Sequence, residues 1–114
     1  MSKLYNNDKN FLIIEINREE ATSLGFGICT EETINDCICG GCNNTIADMM
    51  YYIAAINEVM CKDCCDDYIK TMNHYSDKDS IEYEVNHFNY VSGKLNMSEM
   101  ATVSSKNKIV ISSK

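Results

Sequence analysis

The sequence predicts a small α+β domain, and three observations carry that assignment. Cys39 with Cys42 and Cys61 with Cys64 form two C-x2-C pairs eighteen residues apart. Strand-like runs lie between the pairs, and a helical pattern follows the second. An apolar, β-branched run precedes the cysteines, and a second helical stretch follows them. The 114 residues allow one domain, or one domain with a tail. With no Trp and an apolar set made largely of Ile, Met and Cys, the core is lean enough to need a staple. Seven cysteines are the obvious supply.

Each element has its own signal. Phe11-Leu12-Ile13-Ile14-Glu15-Ile16 reads as a strand. Asn17 followed by Glu20 has the spacing of a capping box, opening a short helix through about Leu24 that Gly25 and Gly27 end. Thr30 to Asp36 is acidic and reads as a turn or one helical turn. Met50 to Ala54 and Glu58 to Met60 read as two strands, with Asn57 suited to the turn between them. Cys65, Tyr68, Ile69 and Met72 then fall on one helix face, with Asp66 and Asp67 expected in the first turn and Lys70 later. From Asp77 to Leu95 the spacing of Ile81, Val85, Phe88 and Leu95 favours a helix over a strand, with Ser80 as its cap. After Asn96 the composition shifts to Ser, Lys and small residues. Lys108 to Ile111 is either a final strand paired with Thr102-Val103 or a frayed end. The chain thus divides into an N-terminal strand and helix (1–36), a cysteine unit (37–74) on which they pack, a helix (75–95) and a tail or short hairpin (96–114).

Charge and composition exclude several classes. No apolar run reaches the roughly 18–20 residues of a membrane helix. The opening Met-Ser-Lys-Leu-Tyr-Asn-Asn-Asp lacks the apolar stretch of a signal peptide, so a cytoplasmic location is expected. In that compartment disulfides are disfavoured, and cysteines point to metal or redox chemistry. An odd cysteine count agrees. Formal charge is −7, and residues 15–84 hold fifteen acids against Arg18, Lys62, Lys70 and Lys78. A phosphate backbone wants the opposite sign, so direct nucleic-acid binding is disfavoured.

The cysteine spacing is the strongest motif. Two Cys separated by two residues turn both sulfurs toward one ion, and Gly40-Gly41 let the backbone curl. Two such knuckles complete the closed tetrahedral shell of structural zinc, from Cys39, Cys42, Cys61 and Cys64. Cys37 and Cys65 lie close enough in sequence to be alternative ligands. Cys65 otherwise reads as a buried residue on its helix face, Cys37 as a neighbour of the shell and Cys29 as a small core residue.

A knuckle, a hairpin, a second knuckle and a helix resemble the treble-clef zinc fingers, LIM-type half-domains among them. The stretch Tyr-Tyr-Ile-Ala-Ala-Ile-Asn-Glu-Val-Met-Cys-Lys-Asp-Cys is also similar to small zinc-finger proteins of bacteria and their phages. The resemblance covers residues 37–74, and it implies one structural zinc and a fold rather than an activity. Rubredoxins pair two C-x2-C motifs on iron, but usually with Gly soon after each knuckle's second Cys, where Asn43 and Cys65 stand here. A thiol oxidoreductase built on Cys39 and Cys42 would need a βαβ unit that the sequence lacks.

Other residues carry less. His74 reads as a favourable charge at a helix end and His87 as an ordinary exposed histidine. Acid pairs such as Glu19-Glu20 do not face each other on a helix. No P-loop, dinucleotide or hydrolase motif appears, so no enzyme activity is expected. The acidity has a sharper reading. A dense acidic face can imitate nucleic-acid phosphate and occupy a basic groove on another protein. In size and charge the chain is similar to phage-encoded inhibitors, many anti-CRISPR proteins included. The expected function is a zinc-stapled protein-interaction module, with Tyr51, Tyr52, Tyr83 and Tyr90 as its anchors. The alternatives are a redox or iron protein using the same cysteines, and a nucleic-acid binder relying on Lys94, Lys106, Lys108 and Lys114.

Overall fold

The computed structural model describes residues 3–24, 27–28, 36–38, 45–46, 49–74 and 76–113. In chain order the elements are β1 (Lys3–Leu4), β2 (Ile13–Ile16), α1 (Arg18–Ser23), β3 (Gly27–Ile28), β4 (Asp36–Ile38), β5 (Thr45–Ile46), β6 (Met50–Ile53), β7 (Glu58–Met60), α2 (Lys62–Thr71), α3 (Lys78–Lys94), β8 (Glu99–Val103) and β9 (Ile109–Ser113). The architecture is α+β and its sheets are antiparallel. One sheet runs in the order β1-β2-β6-β7, a second β3-β4-β5, and β8 pairs with β9.

The first sheet holds the core. Ile14 lies opposite Tyr52 and Ile16 opposite Met50, joining the N-terminal strand directly to the hairpin that precedes Cys61. Adjacent strand residues point to opposite faces, yet Ile13, Ile14, Tyr52 and Ile53 are all fully buried. Both faces of β2 and β6 are therefore covered, which is why their sequences are near-continuous apolar runs. Cys65 of α2 and Ile81, Val85, Phe88 and Val91 of α3 belong to the same core. The β6–β7 turn is made by Asn57 at φ 52, a left-handed conformation asparagine tolerates.

Helix starts follow local hydrogen-bonding chemistry. At α1 the Glu20 N–H donates to Asn17 Oδ1 at 2.8 Å, and the Asn17 N–H donates to Glu20 Oε1 at 3.0 Å, which closes the expected capping box. Helix α2 begins earlier than its apolar spacing indicates, because Cys61 is its N-cap; Asp63, not Asp66 or Asp67, lies in its first turn. Met72 follows as the C-cap and is partly exposed, so the buried face narrows to Cys65, Tyr68 and Ile69. Helix α3 is capped by Asp77, three residues before the expected Ser80, and Asp77 accepts the Ser80 N–H at 2.9 Å.

The N-terminal segment grips α2 at its middle and at its C-terminus. The Tyr5 hydroxyl donates to Asp66 Oδ1 at 2.8 Å, and Lys62 pairs with Asp66 Oδ2 at 2.8 Å. These two bonds hold the Asp66 carboxyl below the usual carboxylate range, the lysine contributing most. At the C-terminal end Lys9 Nζ donates to the Lys70 and Met72 carbonyls at 3.1 and 2.9 Å, satisfying acceptors that a helix C-terminus leaves open.

The residues after Asn96 form the hairpin, with Ala101 opposite Ile111. It is fastened to α3 by polar bonds. Asn89 donates to the Ala101 carbonyl at 2.9 Å and accepts the Ala101 N–H at 2.8 Å, while the Ser92 hydroxyl donates to the Glu99 carbonyl at 2.7 Å.

One carboxyl group lies inside the core. Glu84 is 2 % exposed, on the α3 face with Ile81, Val85 and Phe88. Its Oε2 accepts the Leu12 N–H at 2.9 Å, and His74 Nε2 lies 2.7 Å from Oε1. Leu12 is the residue before β2, and its carbonyl accepts the Ala54 N–H at 3.0 Å. Glu84 thus supplies the acceptor for a buried N–H just ahead of the strand. His74 is not a solvated helix-end charge: its ring stands 4.9 Å from that of Phe11, which also packs on Tyr68.

Two outcomes follow from these contacts. Glu84→Ala strands a buried N–H and a histidine, and is expected to cost about 3–5 kcal/mol in urea unfolding; Glu84→Gln, which keeps an acceptor, should cost less. The Asp77 carboxyl is held below its ordinary range by the Ser80 N–H. Its stabilisation is present above that range and is lost as the pH falls through the lowered value. Asp77→Asn, a cap without a charge to titrate, should flatten the acid limb of α3 unfolding followed by circular dichroism.

Candidate functional site

The second cysteine pair is built by the hairpin and α2 together. Strand β7 ends at Met60, Cys61 caps the helix with extended backbone (φ −69, ψ 166), and Cys64 lies three residues on. Residues three apart are neighbours on a helix surface, so both side chains occupy one side of the first turn. Both are partly buried, whereas Cys65 is fully buried in the core. Burial, followed by the charge of Asp66, pushes the Cys65 thiol up to about 12. The Tyr5–Asp66–Lys62 bonds brace this same turn. The positive end of the α2 dipole, which favours anionic ligands, also lies here.

The first pair, Cys39 and Cys42, lies outside the described residues, as do Cys29 and the acidic residues 31–35. Their flanks are described. Strand β4 stops at Ile38, β5 starts at Thr45, and these two residues pair across the strands. Asp36 already belongs to β4, so the segment expected to be a turn enters a strand at its end. The backbone of Cys37 lies in β4 opposite Gly27 and Ile46. Among the described residues no group of three or more His, Cys, Asp or Glu side chains is placed to hold an ion.

Of the four tyrosines expected as anchors, two are not at the surface. Tyr51 and Tyr52 are 5 % and 0 % exposed because β6 is an inner strand covered on both faces. The Tyr51 hydroxyl donates to Glu15 Oε2 at 3.0 Å; burial first, and that carboxylate second, push it up to about 12. Tyr83 and Tyr90 are 45 % and 64 % exposed on α3. His87 lies between them, its ring 4.1 Å from that of Tyr83, and Lys94 Nζ stands 5.6 Å over the Tyr90 ring. Beside this strip is a cavity of about 360 Å³ lined by Leu24, Asn57, Asn86, His87, Tyr90 and Val91.

The acids are more occupied than their count implies. Glu15 bonds Tyr51 and pairs with Lys3, Glu20 closes the capping box, Asp66 holds Tyr5 and Lys62, Asp77 caps α3 and Glu84 is buried. Among the described residues Glu19, Glu58, Asp63, Asp67 and Asp79 are exposed and serve none of these roles. Sequence reasoning passed over Glu84, although an acid between Ile81 and Val85 on a core-facing stripe is a visible signal. Nothing in the sequence tied Asn57 to Asn86 and His87.

Comparison with family models, with curated proteins and with solved structures gave no match.

Alkylation should separate the cysteines of α2. In folded protein at pH 8, iodoacetamide is expected to leave Cys65 unmodified, and urea should expose it to complete reaction. Rapid labelling of Cys65 without denaturant, read by peptide mass spectrometry, would contradict its burial.

Proposed function

We propose that the chain is a non-enzymatic, acidic, zinc-binding protein-interaction module, with the metal held by Cys39, Cys42, Cys61 and Cys64. The observation that carries this reading is the position of Cys61 and Cys64, which end a β-hairpin and open a helix. Paired strands on either side of Cys39 and Cys42 suit a second knuckle. Cys65 is directed into the core, which favours Cys64 over it as ligand. A closed four-thiolate zinc site supplies folding energy, about 10–16 kcal/mol of apparent binding in small fingers, and leaves no position for substrate.

The interaction face in this reading is the outward side of α3, where Tyr83 and Tyr90 offer large contact area at low entropic cost. The helix behind them is fixed by its buried stripe and by Glu84. The partner is a basic nucleic-acid-binding protein of a host cell, and the chain a phage or mobile-element regulator that covers its groove. The net charge of −7 supports that choice of partner. Exposed acids such as Glu19, Glu58, Asp63, Asp67 and Asp79 support phosphate imitation.

Protein purified without added metal is expected to carry one zinc per chain by elemental mass spectrometry and to be colourless. Chelation should then unfold at least residues 37–74, and Cys61→Ser or Cys64→Ser should lose the metal. A coloured iron form, or a circular dichroism spectrum unchanged after verified metal removal, overturns the reading. For the partner, host proteins retained on the immobilised chain should be displaced by duplex DNA. They should be lost when Tyr83 and Tyr90 are both replaced by Ala.

A further inference from the structure

The cavity between the β6–β7 turn and α3 has no part in metal binding, and its polar groups are set in fixed directions. The Tyr52 hydroxyl, on a fully buried ring, donates to Asn57 Oδ1 at 2.7 Å. That bond holds the amide by its oxygen and leaves the Nδ2 donor as its outward end. On the facing helix, His87 Nδ1 lies 2.8 Å from the Tyr83 carbonyl. A carbonyl only accepts, so Nδ1 carries the proton, and in the neutral ring Nε2 is an acceptor. One cavity of about 360 Å³ therefore offers a fixed donor and a fixed acceptor. Asn86 adds an amide with both, Tyr90 forms an aromatic wall, and Leu24 and Val91 give an apolar floor.

We propose that this cavity binds an uncharged nucleobase, presented as a free base or nucleoside. The occupant that meets Asn57 and His87 together carries an acceptor and a donor, with a π-face for Tyr90. Nucleobases join those features in one rigid ring, and stacking on tyrosine is a general mode of holding them. The volume falls in the range of small-ligand sites and suits a nucleoside. The charge of −7 selects the uncharged forms over phosphorylated ones. The site thus differs in kind from a nucleic-acid groove, which the charge disfavours.

The test is calorimetric titration of the full, metal-loaded chain with uridine, adenosine, 3-methyluridine and propionamide. Uridine or adenosine is expected to bind with a Kd below about 1 mM. 3-Methyluridine, which has lost the ring N–H, should bind about tenfold more weakly than uridine. Asn57→Asp keeps the left-handed turn and the acceptor for Tyr52 but removes the donor. His87→Phe keeps a ring and removes the acceptor. Each should weaken nucleoside binding about tenfold with the circular dichroism spectrum unchanged. The proposal is overturned if neither nucleoside binds at about 5 mM, or if both variants bind as the parent does. It is also overturned if propionamide binds as tightly as the nucleosides, which would assign the cavity to an amide side chain of a partner. These variants leave the cysteines and Tyr83 and Tyr90 in place, so failure here is separable from failure of the interaction reading.

Discussion

The structure depends on what happens to the Glu84 carboxyl group. Burying it carries a desolvation cost of several kcal/mol unless its oxygens are matched, and here one meets a backbone N–H 72 residues away and the other lies against a histidine of the preceding loop. The Leu12 N–H lies before β2, His74 lies between α2 and α3, and Glu84 itself is one turn into the apolar face of α3. Apolar packing alone would tolerate small slides of α3 over the sheet. A carboxyl group with one directed hydrogen bond and one close histidine contact does not, so α3 has one position along β2. The outward face of α3, with Tyr83, His87 and Tyr90, is fixed as a consequence of what its inward face requires.

A second set of constraints makes the cysteine unit inseparable from the N-terminal segment. Strand β2 is an inner strand of the sheet that contains the β6–β7 hairpin, Tyr5 holds the middle of α2 and Lys9 its C-terminal end. The helix that Cys61 caps and that carries Cys64 is thereby tied to the N-terminal segment.

Much of this was legible in the sequence because the signals were local. The capping box at Asn17 and Glu20, the strands on either side of Asn57 and the helical spacing of Ile81, Val85 and Phe88 are short-range chemistry. What was not legible was long-range. Tyr51 and Tyr52 look like surface anchors until β2 is seen to pair beside them and enclose their strand. His74 reads in sequence as a helix-end charge and His87 as an exposed histidine; Glu84 and the Tyr83 carbonyl give them other roles. Acidic composition misleads for the same reason, since residues that share a sign serve as a cap, a brace, a sheet bond and a buried acceptor. The first cysteine pair lies outside the described residues, so the sequence remains the sole ground for Cys39 and Cys42.

The separation of 72 residues between Leu12 and Glu84 also has a consequence for synthesis. A ribosome adding about 5–20 residues per second takes about 4–14 s to travel that distance. During that interval the run Phe11-Leu12-Ile13-Ile14 has left the exit tunnel without the helix that covers it, and for most of it without β6. A β-branched segment in that condition is a template for pairing with other chains. The burden of keeping this protein soluble therefore falls before the fold exists, on the waiting N-terminal strand and on whatever shields it until its last partner emerges.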